Sequence, residues 1–155
     1  PEAVHEAGAR ATFLNHAEHP LTLAELVKAI NRADELGMAT IVCADSLKEA
    51  KAIAMLNPDI ILCEPTELIG TGKTSDKEYI QSTNQAVKDI NPGILMMQAA
   101  GISNADDVYR TISLGAEGTG CTSGIVCAED PVQMLEDMIL ALVKADKERK
   151  EINDR

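Results

Sequence analysis

IILCEPTELIGTGK, residues Ile60 to Lys73, is the stretch on which the reading of this chain turns. Its first four residues form a continuous apolar run, opened by two β-branched isoleucines, behind the breaker pair Asn57-Pro58, the pattern of a short buried strand. Glu64 stands at the end of that run. A carboxylate at the mouth of a buried strand is costly unless it does chemistry or finds a partner. Pro65 follows at once, and then a loop with Gly70 and Gly72, residues able to hinge or to present backbone N–H groups.

Outward from this strand the chain alternates. Upstream, PEAVHEAG reads as the end of a helix, Ala11–Leu14 as a strand, and LTLAELVKAINRADELG as a helix opened by Thr22 with Glu25 and stopped by Gly37. Ala39–Ala44 is the next strand, and Ser46 with Glu49 opens a helix that ends before Asn57. Downstream, Ser75 with Glu78 caps a helix running to Asn91, and Ile94–Gln98 is a strand. A helix from Asn104 to Leu114 follows, then a weaker strand at Gly118–Cys121, and a last helix with Asp130 as cap and Pro131 at its first position. From about residue 146 the polar tail KADKERKEINDR is expected to fray, leaving residues 1–155 as one domain. Apolar strands alternating with helices mean a parallel sheet with crossover helices. The pattern alone leaves two architectures open: a doubly wound sheet of five strands, or part of a (β/α)8 barrel.

Composition bounds the function. The chain has 155 residues, 45% of them hydrophobic but only 2% aromatic, so its core is aliphatic. A net charge of −11 repels phosphate backbones and argues against a nucleic-acid partner. No apolar run approaches a membrane span, and no signal-peptide pattern opens the chain. Cys43, Cys63, Cys121 and Cys127 form no CxxC pair, which fits reduced, mostly buried thiols of a cytoplasmic protein.

GTGKT at Gly70–Thr74 is not a phosphate-binding P-loop, because the glycine that motif requires five places before Gly72 is Glu67. His16 and His19 lack the further ligands of a metal site, so no metal and no cofactor are expected. His16 lies just past a strand end, on the side of a parallel sheet where Glu64 also emerges. A turn or cap role would explain either residue alone. Together, with glycine-rich loops after the last three strands, they point to proton transfer on a small phosphorylated substrate. Glu64 in an apolar mouth suits a base near neutrality, and an imidazole opposite it would polarise a carbonyl. Backbone amides at Gly70, Gly101–Ser103 and Thr122–Gly124 would hold the phosphate.

Glu64-Pro65 followed by three residues and IGTGK resembles the catalytic strand end and lid of triosephosphate isomerase. FLNHAEH resembles that family's NHSE strand end, and AAGISNADDV and TSG resemble its two later phosphate loops. In this order, over nearly the whole chain, the motifs look most like the compact archaeal-type branch. The resemblance implies a TIM (β/α)8 barrel, of which this chain would form the last five βα units. It implies interconversion of dihydroxyacetone phosphate and glyceraldehyde 3-phosphate through an enediolate, in glycolysis and gluconeogenesis, by a homo-oligomer (dimer or tetramer). Glu64 would be the base and His16 the electrophile, with Asn15 and Glu18 in support. Gly70, Gly101, Ser103, Thr122 and Ser123 would bind the substrate phosphate. Pro65, Thr66, Glu67, Leu68, Ile69, Gly70, Thr71 and Gly72 would form the lid.

The chain departs from the family at Ala17, at Ala99 and in GTGC at Gly118–Cys121. Its first strand aligns with the family's fourth, so the family's essential lysine has no counterpart here, and Lys73, on the lid, is a poor substitute. Alternatives are an isomerase of another small phosphorylated aldose or ketose, and a non-catalytic phosphate-binding remnant. Five strands cannot close an eight-stranded barrel, so residues 1–155 alone are expected to be insoluble, associated or partly molten, and inactive.

Overall fold

The computed structural model describes residues 1–68, 71 and 73–153. In chain order it contains α1 (Glu2–Glu6), β1 (Ala11–Leu14), α2 (Leu23–Glu35), β2 (Ala39–Ala44), α3 (Leu47–Ala54) and β3 (Ile60–Cys63). A 3-10 turn (Thr66–Leu68), α4 (Lys77–Ile90), β4 (Leu95–Gln98), α5 (Ala105–Ser113), α6 (Ser123–Val126) and α7 (Pro131–Asn153) complete it. The strands are parallel and lie in the order β1-β2-β3-β4.

That order separates the two architectures. A doubly wound sheet reverses direction at a switch point, placing helices on both faces. Here each strand pairs with its successor, and α2, α3 and α4 share one face. Leu14, Val42, Ile61 and Met96 form one row across the sheet. They pack with Leu26 and Ile30 of α2, Ala50 and Ile53 of α3, and Val87 of α4. Side chains alternate along a strand, so Phe13, Ile41, Ile60 and Leu95 form a row on the opposite face. No helix among the described residues joins this row to a core; Phe13 is 57% and Leu95 48% exposed. A singly wound sheet with helices outside and an apolar inner face is an arc of a (β/α)8 barrel.

The helix starts follow local chemistry. Thr22 Oγ1 accepts from Glu25 N while Glu25 Oε2 accepts from Thr22 N, a closed capping box. Leu26, Ile30 and Ala33 then face inward at helical spacing. α4 starts one residue later than its sequence signal: Asp76, not Ser75, accepts from Tyr79 N, and Ser75 is buried.

Two expectations fail on packing grounds. Gly118–Cys121 is not a strand: it meets β4 through an isolated bridge between Gly118 and Met97, bonds of Gly118 to Met96 and Gln98, and the Thr119 hydroxyl on Gln98 O, and its two glycines leave too little side chain to extend this into a pleated ladder. Nor does the chain fray beyond Ala145. α7 stays helical to Asn153 because it docks on α5, with Ala145 and Met138 joining Val108 and Ile112 in a second core. Arg149 also donates to the carbonyls of Ile112 and Ala116, satisfying groups at the end of α5, and Tyr109 donates to Glu148.

Candidate functional site

β1 ends at Leu14, and Asn15 takes a left-handed conformation with φ of 58°. That turn is one asparagine tolerates better than most residues, and it swings His16 over the sheet's carboxyl edge. Its side chain holds the turn: Oδ1 accepts from Leu21 N at 2.9 Å, and Nδ2 donates to Cys43 O at 3.1 Å. The Glu18 N–H donates to His16 Nδ1 at 3.4 Å. In a neutral imidazole that bond leaves the proton on Nε2. The Glu18 carboxylate is mostly exposed, 3.8 Å from Nδ1, so its backbone rather than its charge supports the ring.

Glu64 follows β3, its N–H donating to Ala44 O at 3.0 Å. Its side chain is 17% exposed, and one carboxylate oxygen lies 3.7 Å from His16 Nε2. Burial raises the pKa of Glu64, and attraction to His16 offsets part of that rise. The pair faces a cavity of about 470 Å³ lined also by Gly101, Ser103, Thr122 and Ser123. The fold therefore brings the expected acid–base pair and four of the five expected phosphate ligands to one cleft. The fifth, Gly70, lies outside the described residues, as do the lid positions Ile69 and Gly72. A wider groove of about 910 Å³ runs along α4 between Lys77 and Gly115, but neither His16 nor Glu64 reaches it.

The described part of the expected lid is anchored. Pro65 is buried, and Leu68 N donates to Pro65 O at 2.9 Å. Thr66 N donates to Asp45 Oδ1 at 2.5 Å, and this bond holds the Asp45 carboxyl below its usual range. Thr71 bonds back to Leu68 O, and Glu67 is exposed. At Gly101 the backbone passes against Lys73: φ is +69°, and an added Cβ would lie 2.0 Å from Lys73 O. Only glycine fits that contact.

Several participants escaped the sequence reading. Asp45 follows β2 at the same sheet edge as Glu64, a position that parallel-fold logic could have flagged. Asp107 accepts from both the N–H and the hydroxyl of Ser103, at 3.0 and 2.8 Å, so both Ser103 donors are engaged and a phosphate would have to displace the carboxylate to use them. Cys121 lines the cleft half-buried and Cys127 is exposed, so burial of the thiols is incomplete; all four are free. Burial, together with the charges of Glu64 and Glu49, pushes the Cys43 thiol up to about 12. Among the described residues no group of three or more His, Cys, Asp and Glu side chains could hold a metal, and no helix is long and apolar enough to cross a membrane.

The family model for triosephosphate isomerase matches residues 1–138. A triosephosphate isomerase from Methanobacterium bryantii is 42% identical over 142 residues, covering 90% of this chain and 63% of that protein. Those from Sulfurisphaera tokodaii (38% over 152 residues; 97% and 66%) and Methanocaldococcus jannaschii (39% over 141; 89% and 64%) are similar in the same way. The chain thus spans 63 to 66% of the length of these relatives. In fold it is similar to a thiamine phosphate pyrophosphorylase from Pyrococcus furiosus, with a TM-score of 0.70 at 18% identity over 93% of this chain and 64% of that one. It is also similar to a 3-hexulose-6-phosphate synthase, with a TM-score of 0.69 at 16% identity over 90% and 65%.

Proposed function

This chain belongs to the triosephosphate isomerase family, and we propose that it carries the proton-transfer centre of a protein interconverting dihydroxyacetone phosphate and glyceraldehyde 3-phosphate. The observation that supports this most is the placement of His16 Nε2 and Glu64 3.7 Å apart, facing one cleft. Glu64 takes the proton from the carbon beside the substrate carbonyl and returns it to the neighbouring carbon. His16, with its proton on Nε2, donates to the oxygen on which negative charge develops, and so stabilises the enediolate. Gly101, Ser103, Thr122 and Ser123, with Gly70, bind the phosphate, and residues 65–72 close over it. In the same reading the protein is a homo-oligomer of the cytoplasm and acts in sugar breakdown and synthesis.

A second substrate, another small phosphorylated aldose or ketose, draws support from the small residues beside the catalytic pair. Ala99, Gly120 and Cys121 line an adjoining cavity of about 380 Å³ that also touches His16 and Glu64. Comparing kcat/KM for triose phosphates with that for longer sugar phosphates separates the two.

The pH dependence of kcat/KM tests the role of Glu64. A base acts as its carboxylate, so activity falls as pH drops through its pKa. Burial raises that pKa, so the acid limb is expected above the ordinary glutamate value of about 4.3. An acid limb at or below that value in the whole protein would remove Glu64 from the base role.

A further inference from the structure

Glu49 sits in the first turn of α3, three residues after its cap, Ser46, whose hydroxyl accepts from Glu49 N. A glutamate there ordinarily returns its carboxylate to the cap residue's own N–H. This one does not. Its Oε2 accepts from the N–H of Asp45, one residue before the cap, at 2.7 Å, and its Oε1 accepts from Asn15 Nδ2 at 3.2 Å. The carboxylate thus joins two strand ends.

Each arm leads into the cleft. Asn15 holds the left-handed turn directly before His16. Asp45 receives the start of the lid, its carboxylate accepting from Thr66 N, while its carbonyl accepts from the Tyr79 hydroxyl at 3.3 Å. The residue before Asp45, Ala44, accepts the N–H of Glu64. Asn15, Asp45, Glu49, Glu64 and Thr66 also line one small cavity of about 280 Å³.

We propose that Glu49 is a positioning residue, whose single carboxylate sets the spacing between the strand end bearing His16 and the one bearing Glu64 and the lid hinge. This rests on the proposed acid–base roles of His16 and Glu64. Two N–H donors converge on Glu49, and a carboxylate offers an acceptor oxygen to each. A glutamine at position 49 offers one, and turns its own N–H group toward the other donor. Without the Asn15 arm, that side chain keeps its bonds to the Leu21 N–H and Cys43 O but loses its third partner, and the turn that carries His16 is held less firmly. Without the Asp45 arm, the hinge at Thr66 loses its fixed acceptor. Proton transfer is sensitive to small displacements, whereas the phosphate ligands at Thr122 and Ser123 lie on another loop.

The test compares Glu49→Gln and Glu49→Ala with Ser46→Ala in the full-length protein. Ser46→Ala removes the cap of the same helix, including the bond to the Glu49 N–H, and leaves both carboxylate bonds in place. Both Glu49 variants are expected to lose kcat by about tenfold with KM nearly unchanged. They are also expected to shift the NMR signals of the His16 ring and to speed hydrogen exchange at the Thr66 amide. Ser46→Ala is expected to lower Tm by at least as much while leaving kcat and both NMR readouts in place. Glu49 variants that merely lose Tm, as Ser46→Ala does, would overturn the proposal. Should the unsubstituted protein lack triose phosphate turnover, the functional reading falls, and the two NMR readouts alone decide: shifts sustain the coupling and unmoved signals refute it.

Discussion

Glu64→Asp is expected to lower kcat by about a hundredfold in the whole protein, because withdrawing the carboxylate by one methylene spoils its line to the carbon acid. At 1.36 kcal/mol per tenfold, that is about 2.7 kcal/mol of lost transition-state stabilisation. KM is expected to change little, since the residues proposed to hold the phosphate lie on the loops at Gly101–Ser103 and Thr122–Ser123. Removing the base outright with Glu64→Gln should cost more, up to about the 10⁴-fold ceiling typical of general base catalysis. Neither change should unfold the protein, because the Glu64 backbone N–H, not its carboxylate, ties the segment to Ala44. The stability effect even has the opposite sign. Glu64 has a raised pKa when folded, so its contribution to stability is complete below its unfolded pKa and is lost as pH rises through its folded one. At neutral pH Glu64→Gln removes a destabilising buried charge, and Tm should hold or rise. Steady-state kinetics with thermal melts check all three statements; near-normal kcat in Glu64→Asp would take the base role from this residue.

Residues 1–155 alone are expected to associate or to melt without a sharp transition, and to show no isomerase turnover. The reason is visible apolar surface. Phe13 and Leu95 stand exposed on the inner sheet face, and Leu135, Ile139, Leu140 and Val143 on α7. Covering such side chains is worth roughly 1.5–3 kcal/mol each, and six of them together rival the roughly 5–15 kcal/mol that holds a domain together. Among the described residues β1 pairs on one side only, whereas the far side of β4 is met by Glu117–Thr119, which bonds to the backbone of Met96 and Gln98. The open edge of β1 recruits other chains. Sedimentation and thermal melting of the 155-residue chain check this; a monomer with a cooperative melt would show that the sheet needs no further strands.

The strands and most caps were legible because they rest on local chemistry. Ile60–Cys63 announces itself by a continuous apolar run after Asn57-Pro58, and Thr22 with Glu25 by the closed box that the structure shows. The last helix was misjudged because what holds its tail is distant. Arg149 looks like part of a solvated charge run until α5 brings the carbonyls of Ile112 and Ala116 to it. Gly118–Cys121 failed for the converse reason: its place in the alternation invited a strand its side chains could not sustain. Of the site, the pairing of His16 with Glu64 followed from both residues leaving the same sheet edge. The carboxylates at Asp45, Glu49 and Asp107 did not, because each acts on a backbone or amide N–H whose position depends on tertiary packing. Periodicity carries no trace of such bonds.

The measurement that bears most directly on the central claim is turnover of triose phosphate in D2O by the whole protein, with deuterium in the product located by NMR. A proton taken up by Glu64 rests on a carboxylate that is 17% exposed, close enough to solvent to exchange before it is returned. The predicted result is solvent deuterium on the carbon beside the product carbonyl, with turnover and incorporation lost together in Glu64→Gln. Product formed without solvent deuterium, or formed equally well by Glu64→Gln, would contradict the account.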